Sequence, residues 1–255
     1  MKHGDFTELA REYINRPNYS KLVLNSISRY INHDRKENFQ IVEVGAGTGK
    51  LTKDLLELGF KNVFAVEPND EMRKEGIEYT KNQSVTWFKG SGEETGMDSG
   101  IANWILMASS FHWTDPKKSL PEFSRVLKPG GFFTALWNPR FIESSELHSR
   151  IEKRIHELVP NINRVSSGSS KYTVGIEDTL ISTGHFKDVI FMEAQHEISM
   201  TKERYMGAWR SVNDIRVQAG EEKWQEILAV IEDEIKDLDE VIVPYKTRAW
   251  TAQKV

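Results

Sequence analysis

Apolar and polar positions follow two different spacings along this chain, and these spacings predict its elements. Short apolar runs predict strands at 39–45, 62–67, 84–89, 101–107 and 131–138. Apolar residues at helical intervals predict helices at 48–58, 69–80 and 116–128. Strands that alternate with helices indicate an α/β fold whose parallel sheet is covered on both faces.

The regions on either side of this pattern have a different character. The first 36 residues predict helix, interrupted at Pro17. Beyond Asn138 the spacing predicts helices at 145–159, 176–182, 201–212 and 221–238, strands at 186–199 and 241–255, and a flexible link at 166–170. We therefore expect one domain over residues 1–255, with a helical cap at 1–36 and lid segments at 139–175 and 201–238.

Composition narrows the classes of protein and partner. The 255 residues fit a single α/β domain, and no apolar run is long enough to predict a membrane span. The segment Met1–Phe6 lacks the apolar stretch of a signal peptide, so we expect a cytoplasmic protein. With no cysteine, disulfides and thiolate metal sites are excluded, and no metal site is predicted. A net charge of −4 argues against nucleic acid as a partner, and nothing in the pattern indicates an oligomeric state.

The strongest chemical signal is a glycine-rich loop after the first predicted strand. Residues 41–52 read Ile-Val-Glu-Val-Gly-Ala-Gly-Thr-Gly-Lys-Leu-Thr, with glycine at 45, 47 and 49. Such loops turn tightly and bind nucleotide-like cofactors at the carboxyl ends of parallel strands. A P-loop does not fit, because Val44 replaces its first glycine and Leu51 its hydroxyl residue. A dinucleotide fingerprint does not fit either, because Lys50 replaces its third glycine.

A second signal lies one strand further along the chain. The run 62–67 ends in Glu67, about 20 residues after the glycine loop, where a carboxylate reaches ribose hydroxyls. The alternative is an exposed glutamate that merely ends a strand. The joint spacing of the glycine loop and Glu67 favours the binding of an adenosine-like group.

Together these stretches resemble the class I S-adenosylmethionine-dependent methyltransferases of the methyltransferase-11 kind, and are similar to small-molecule enzymes related to trans-aconitate methyltransferase. The resemblance is carried by the glycine loop and four further segments, at 6–19, 89–97, 108–113 and 125–131. It implies a Rossmann-like sheet of seven strands in the order 3-2-1-4-5-7-6, with the last strand antiparallel. It also implies S-adenosylmethionine as the cofactor and a small molecule as the methyl acceptor.

The resemblance assigns the cofactor site residue by residue. Its members are Tyr13, Arg16, Glu43, Gly45, Ala46, Gly47, Thr48, Glu67, Pro68, Ser91, Gly92, Glu93, Ala108 and Ser109. Arg16 is expected to pair with the cofactor carboxylate, the alternative being a surface arginine before a proline. Ser91 stands where many relatives carry aspartate, and Asn103 replaces another common aspartate.

Methyl transfer in line with the sulfonium needs an aligned acceptor, and an oxygen or nitrogen acceptor must also lose a proton. His112 is the candidate general base, the alternative being a substrate-orienting or structural histidine. Trp113, Trp137 and Trp209 are candidates for an aromatic substrate pocket, the alternative being core or lid packing. Arg140 and Arg210 could bind an acidic substrate, although single arginines are more often solvated.

Two hypotheses from different classes follow. The first is an enzyme that methylates a small molecule on oxygen or nitrogen. The second is a non-catalytic protein that binds S-adenosylmethionine as a regulatory or partner subunit, since fold alone does not decide function. RNA or protein methylation is a third possibility, against which the acidic balance and the absence of a basic tract count.

Overall fold

The computed structural model describes residues 7–31, 38–163 and 173–255. Seven strands form one sheet: β1 Gln40–Val44, β2 Asn62–Val66, β3 Val85–Phe88, β4 Ala102–Ala108, β5 Leu127–Trp137, β6 Phe186–Thr201 and β7 Glu240–Lys254. The helices are α1 Ala10–Tyr13, α2 Lys21–Tyr30, α3 Lys50–Glu57, α4 Asp70–Tyr79, α5 Pro116–Val126, α6 Glu146–Leu158, α7 Ile176–Ile181, α8 Lys202–Arg210 and α9 Asn213–Ile235.

The strand order is β3-β2-β1-β4-β5-β7-β6, as the resemblance implied. The pairs among β1 to β5 are parallel, whereas β7 runs antiparallel to both β5 and β6. Parallel pairing brings the carboxyl ends of β1, β2 and β4 to the same edge of the sheet. Residues that follow those strands therefore lie side by side there.

The two faces of the sheet follow from the alternation of side chains along each strand. In β5, Phe133, Ala135 and Trp137 face a core formed with α5 and α7. In β4, Trp104 and Leu106 face the opposite core, formed with α2 and α3. Both faces are covered, so the inner strands are apolar on both sides.

A third core lies beyond the two that cover the faces of the sheet. Residues 240–246 of β7 pair with β6, while the pairing of β7 with β5 begins only at Arg248. Helices α6, α8 and α9 pack on this extension, with Trp209, Trp224 and Tyr245 among the buried side chains. This unit of helices on an extended hairpin occupies the segments predicted as a lid.

The structure changes several predicted boundaries. In the first 36 residues, the described helices are α1 and α2 and a 3-10 turn at Thr7–Leu9. The stretch Asn213–Ile235 consists of two helical segments that meet at Gly220, whose φ of 77° and ψ of 165° are not helical. The second segment therefore begins at residue 221, as predicted, but ends at Ile235 rather than at 238, and the first segment, from Asn213, was not predicted. The predicted link at 166–170 lies outside the described residues.

Candidate functional site

A cavity of about 290 Å³ lies at the carboxyl ends of β1, β2 and β4. Gly45 follows β1, Glu67 follows β2 and Ser109 follows β4, and all three line it. Tyr13 and Arg16 line its other side, from the chain between α1 and α2. The sheet topology thus assembles one site from four separate segments.

The glycine loop adopts a backbone path that ordinary residues resist. Gly45, Gly47 and Gly49 have φ of 68°, 57° and 77°, in the left-handed region that favours glycine. The Gly45 and Ala46 amides donate to the Val66 carbonyl at 2.8 and 3.1 Å, which fixes the loop against the end of β2.

The nearby Ser110 side chain is a second reason why position 45 requires glycine. A Cβ on Gly45 would lie 2.7 Å from Ser110 Oγ, so the glycine loop passes tightly against the segment after β4. The backbone after β4 is itself held in the left-handed region, with a φ of 54° at Ser109. Strained non-glycine backbone of this kind is common where side chains are aimed into a site.

Glu67 links the two loops of the site. Its Oε2 accepts from the Gly47 amide at 2.8 Å, and its Oε1 accepts from the Asn69 amide at 2.9 Å. Burial raises the pKa of Glu67, while the Asn69 and Gly47 amides act to lower it. Each carboxylate oxygen has a second lone pair, so Glu67 retains the capacity to accept from ligand hydroxyls.

Glu43 is the most strongly perturbed acid of the site. It is 1% exposed and accepts a short hydrogen bond from the Thr52 hydroxyl on α3. Burial raises the pKa of Glu43 to about 8, against the lowering effect of that hydrogen bond. Glu43 therefore carries a proton over much of the pH range below neutrality.

Thr48 carries the clearest unsatisfied polar atom near the cavity. The residue is 1% exposed, and its Oγ1 has no hydrogen-bond partner among the described residues. A buried hydroxyl without a partner costs free energy, of the order of 1–3 kcal/mol. An unpaired hydroxyl in a residue that lines a cavity is typical of a loop whose partner is a ligand.

The segment 13–20, which we call the strap, crosses the cavity between α1 and α2. Arg16 Nε donates to Ser211 Oγ at 2.5 Å, and Arg16 also lies 5.1 Å from the Tyr13 ring centroid. The strap is anchored on α3, because Lys50 Nζ donates to the Ile14 carbonyl at 3.0 Å. Burial lowers the pKa of Lys50 to about 8.

Three further hydrogen bonds hold the carboxyl half of the strap. Asp54 accepts from Asn18 Nδ2 at 2.5 Å and from the Tyr19 amide at 3.2 Å. The Tyr19 hydroxyl lies 3.1 Å from Ser109 Oγ, and burial raises the pKa of Tyr19. The strap is therefore tied both to the helix after the glycine loop and to the end of β4.

The cavity brings together every residue predicted for the cofactor site. All fourteen line it: Tyr13, Arg16, Glu43, Gly45, Ala46, Gly47, Thr48, Glu67, Pro68, Ser91, Gly92, Glu93, Ala108 and Ser109. Trp113, predicted for the substrate pocket, also lines it and is 46% exposed. The Ser91 hydroxyl accepts from the Glu93 and Glu94 amides within its own turn, and contact of Ser91 with the cofactor stays a prediction.

Three other predicted residues do not line the cavity. Trp137 is buried in the core beneath the sheet end, since it shares a face of β5 with Phe133. Trp209 is buried in the core of the lid, where its ring centroid lies 4.0 Å from the guanidinium carbon of Arg140. These two tryptophans therefore match the alternative of core and lid packing.

His112 is the third predicted residue that does not line the cavity. Its Nδ1 accepts from Trp137 Nε1 at 3.2 Å, and its ring lies against Trp113 with centroids 4.7 Å apart. With Nδ1 as the acceptor, the assigned neutral tautomer carries its proton on Nε2. The hydrogen bond to the buried indole N–H is the contact that the structural alternative requires, and the role of His112 as general base stays a prediction.

The cavity also contains residues that the sequence did not indicate. They include Tyr19, Lys50, Asn69, Met72, Ser110, Thr114 and Asn138. Asn138 is oriented by its surroundings: Oδ1 accepts from Thr247 Oγ1 at 2.7 Å, and Nδ2 donates to the Asn18 carbonyl at 3.0 Å. Its position at the end of a predicted central strand was the one available signal, because such ends converge on the site.

The described residues show neither a metal-binding cluster nor a membrane-spanning helix. Those residues contain no cluster of three or more potential metal-ligating side chains. Across the same ranges, none of the helices combines the length and apolarity needed to cross a membrane.

Comparison with protein families identifies the central segment. Residues 42–135 match the family model of the methyltransferase domain. An uncharacterized methyltransferase of Mycobacterium tuberculosis is 40% identical over 101 residues, which are 40% of this chain and 40% of that protein. An uncharacterized methyltransferase of Schizosaccharomyces pombe is 29% identical over 136 residues, 52% of each chain. The match thus spans about half or less of these curated relatives.

Solved structures share the fold over nearly the whole chain. A protein provisionally assigned as a type II methyltransferase from Anaeromyxobacter dehalogenans has a TM-score of 0.63 and 18% identity, over 92% of this chain and 97% of that one. Phosphoethanolamine N-methyltransferase 2 of Haemonchus contortus, solved with S-adenosyl-L-methionine, has a TM-score of 0.55 and 15% identity, over 97% of this chain and 57% of that one. At these identities the likeness concerns the fold. Residues 42–135 thus match a methyltransferase domain, and the Rossmann-like fold of seven strands that the resemblance implied is confirmed.

Proposed function

We propose that this chain, whose residues 42–135 form a methyltransferase domain, is an S-adenosylmethionine-dependent enzyme that methylates a small molecule on oxygen or nitrogen. The single observation that carries the proposal is the cavity. One space of about 290 Å³ is lined by the glycine loop, by Glu67 and by the strap.

The residues present fit this cofactor. Glu67 retains lone pairs for the ribose hydroxyls, and the buried Thr48 hydroxyl lacks a partner among the described residues. Arg16 lines the cavity and supplies a permanent positive charge for the carboxylate of the methionine part. Glu43 and the glycine backbone would hold the amino end. The cofactor brings a methyl group that its sulfonium has already activated.

The chain's own contribution is positioning and exclusion of water. Tyr19 and Ser109 are hydrogen-bonded to each other at the end of β4, and both line the cavity, so their hydroxyls can orient an acceptor. The strap closes one side through Arg16, Asp54 and Lys50. Alignment of reactants in this manner supplies much of the acceleration of methyl transfer.

We further propose that the cap at 1–36 and the lid at 139–175 and 201–238 belong to the same domain and select the acceptor. Support comes from Arg16, which joins the strap to Ser211 after α8, and from the separate core of the lid. A cytoplasmic location stays a prediction from the sequence.

The alternative is a non-catalytic protein that binds S-adenosylmethionine and regulates or accompanies a partner. The same cavity would serve it, because cofactor binding and turnover depend on different groups. The two hypotheses differ in one measurable quantity, the transfer of the methyl group.

The experiment uses methyl-labelled S-adenosylmethionine and a small-molecule extract as the source of acceptors. Under the proposal, the purified chain transfers label to the extract, and the Glu67→Ala variant loses most of this activity. A matched control is Glu94→Ala, an exposed acid in the next loop that does not line the cavity. Cofactor binding without label transfer would favour the non-catalytic alternative, and the absence of cofactor binding would defeat both.

A further inference from the structure

A second group of polar side chains lies inside the lid, away from the cavity. It consists of Arg140, His148 and Tyr205, with Trp209 and Tyr245 around them, and we call it the Arg140 cluster. The elements that bring it together are the segment after β5, helices α6 and α8, and the extension of β7. None of its members lines the cavity at the ends of β1, β2 and β4.

Arg140 is held in place by its backbone and by aromatic rings. Its main chain forms an isolated antiparallel bridge with Tyr245. Its guanidinium carbon lies 4.0 Å from the ring centroid of Trp209 and 5.9 Å from that of Tyr205. Stacking on a ring leaves the N–H groups at the edge of the guanidinium plane available to an acceptor.

No carboxylate neutralises this arginine. Among the described residues, no acidic oxygen forms an ion pair with Arg140 within 4.0 Å. Burial is the largest influence on the pKa of Arg140 and lowers it, but Tyr245, Tyr205 and, last, Glu152 leave that pKa raised. The guanidinium is therefore charged and half-buried, and no carboxylate of the described residues pairs with it.

His148 adds an unpaired donor. It is 2% exposed, its Nδ1 lies 2.8 Å from Ser145 Oγ, and Ser145 Oγ also accepts from the His148 amide. We assign the tautomer in which the Ser145 hydroxyl donates to Nδ1 and the proton of the ring is on Nε2. That Nε2 is buried and has no partner among the described residues. Burial, followed by the charge of Arg140, lowers the pKa of His148 to about 4, so the ring is neutral at pH 7.

Tyr205 adds a second buried donor to the cluster. The residue is fully buried, and its ring centroid lies 5.8 Å from that of His148. Burial raises the pKa of Tyr205, whereas Arg140 and Trp209 act to lower it. No hydrogen bond of normal geometry reaches its hydroxyl from the described residues. Guanidinium, imidazole and phenol groups thus lie together with one positive charge. The acceptor that bears on Arg140 is the Tyr245 hydroxyl, which is neutral and leaves other guanidinium N–H groups for an anion.

We propose that the Arg140 cluster is a binding site for a single carboxylate group. One positive charge and several neutral donors match a monoanion with two acceptor oxygens better than a dianionic phosphate. Assigning that carboxylate to the methyl acceptor rests on the proposed function, whereas binding of the anion does not. The site is distinct from the cofactor cavity, so both can be filled at once.

The test is a titration of the full chain with sodium acetate, followed through the arginine side-chain Nε–H resonances in nitrogen-15 NMR spectra. Saturating S-adenosylhomocysteine is added first and its own binding is recorded. Acetamide, which has the same shape and no charge, is the control ligand. The Arg140 resonance is assigned by its loss in Arg140→Gln, or in Arg140→Lys if the first variant does not fold.

We expect a saturable shift of the Arg140 resonance with acetate and none with acetamide. Tyr205→Phe removes only a hydroxyl and should weaken acetate binding about tenfold, the effect of one hydrogen bond to a charged group. Arg150→Gln, which changes an exposed arginine on α6, the helix that carries His148, should leave acetate binding unchanged.

Three results would overturn the proposal: no saturable shift, an equal response to acetamide, or tighter binding of inorganic phosphate than of acetate. The failure of S-adenosylhomocysteine to bind while acetate still binds would defeat the proposed function alone.

Discussion

The contact between the glycine loop and the segment after β4 can be tested with a single methyl group. In Gly45→Ala the added Cβ would lie 2.7 Å from Ser110 Oγ and 2.8 Å from Ser110 Cβ, at a φ of +68°. Gly100 is a matched control, because its φ is +66° and nothing lies within 4 Å of the same position. The two substitutions therefore share the backbone strain and differ in the clash.

Left-handed backbone costs an alanine about 1–2 kcal/mol, and overpacking adds about 1–3 kcal/mol. We expect Gly100→Ala to lose about 1–2 kcal/mol of unfolding free energy and Gly45→Ala about 2–5 kcal/mol, measured by urea denaturation. Ser110→Gly should reduce the excess cost in a double-mutant cycle, because it removes both clashing atoms. Equal losses for the two glycines, or no coupling to Ser110, would refute the close approach.

Three further perturbations test the site. Thr48→Val should raise the unfolding free energy of the unliganded protein by about 1 kcal/mol, because the substitution removes a buried hydroxyl that has no partner among the described residues. Thr52→Val should lower the unfolding free energy, because it removes the hydrogen bond to Glu43. A lower unfolding free energy in both variants would contradict the unpaired state of the Thr48 hydroxyl. A buried acid whose pKa is raised in the folded state binds more protons when the protein is folded, so the unfolding free energy should fall as the pH rises from about 4.5 towards 8. Glu43→Gln should flatten that fall in melting experiments across this pH range. An unchanged slope would exclude Glu43 as the cause of the fall. His112→Phe should cost about 1–3 kcal/mol by leaving the Trp137 indole N–H without its acceptor, and a lost ionisation in the pH profile of turnover would instead support His112 as the base.

The sequence predicted those parts of the site whose residues are neighbours along the chain. The glycine loop and Glu67 follow directly from strands, so spacing alone placed them together. Tyr19 and Asn138 enter the cavity through contacts across the fold, such as the bond from Asn138 Nδ2 to the Asn18 carbonyl. No local pattern encodes contacts of this kind.

The position of Trp137 also depends on contacts across the fold. Trp137 ends a central strand, but its register puts it on the face shared with Phe133, which packs on α5. Only the partner elements decide which face is core and which borders the site. The helix start at 221 could be predicted from the sequence, because Gly220, with a φ of 77° and a ψ of 165°, breaks the helix immediately before it.

The central claim is that the bend after β1 and the acid after β2 hold a sulfonium nucleoside in one cavity. Calorimetric titration with S-adenosylhomocysteine tests it most directly, with wild-type protein and with Glu67→Ala. We expect the wild-type chain to bind one molecule of S-adenosylhomocysteine with micromolar affinity, and Glu67→Ala to bind it at least about tenfold more weakly. The absence of binding heat in the wild type, or tight binding of a dinucleotide in its place, would contradict the account.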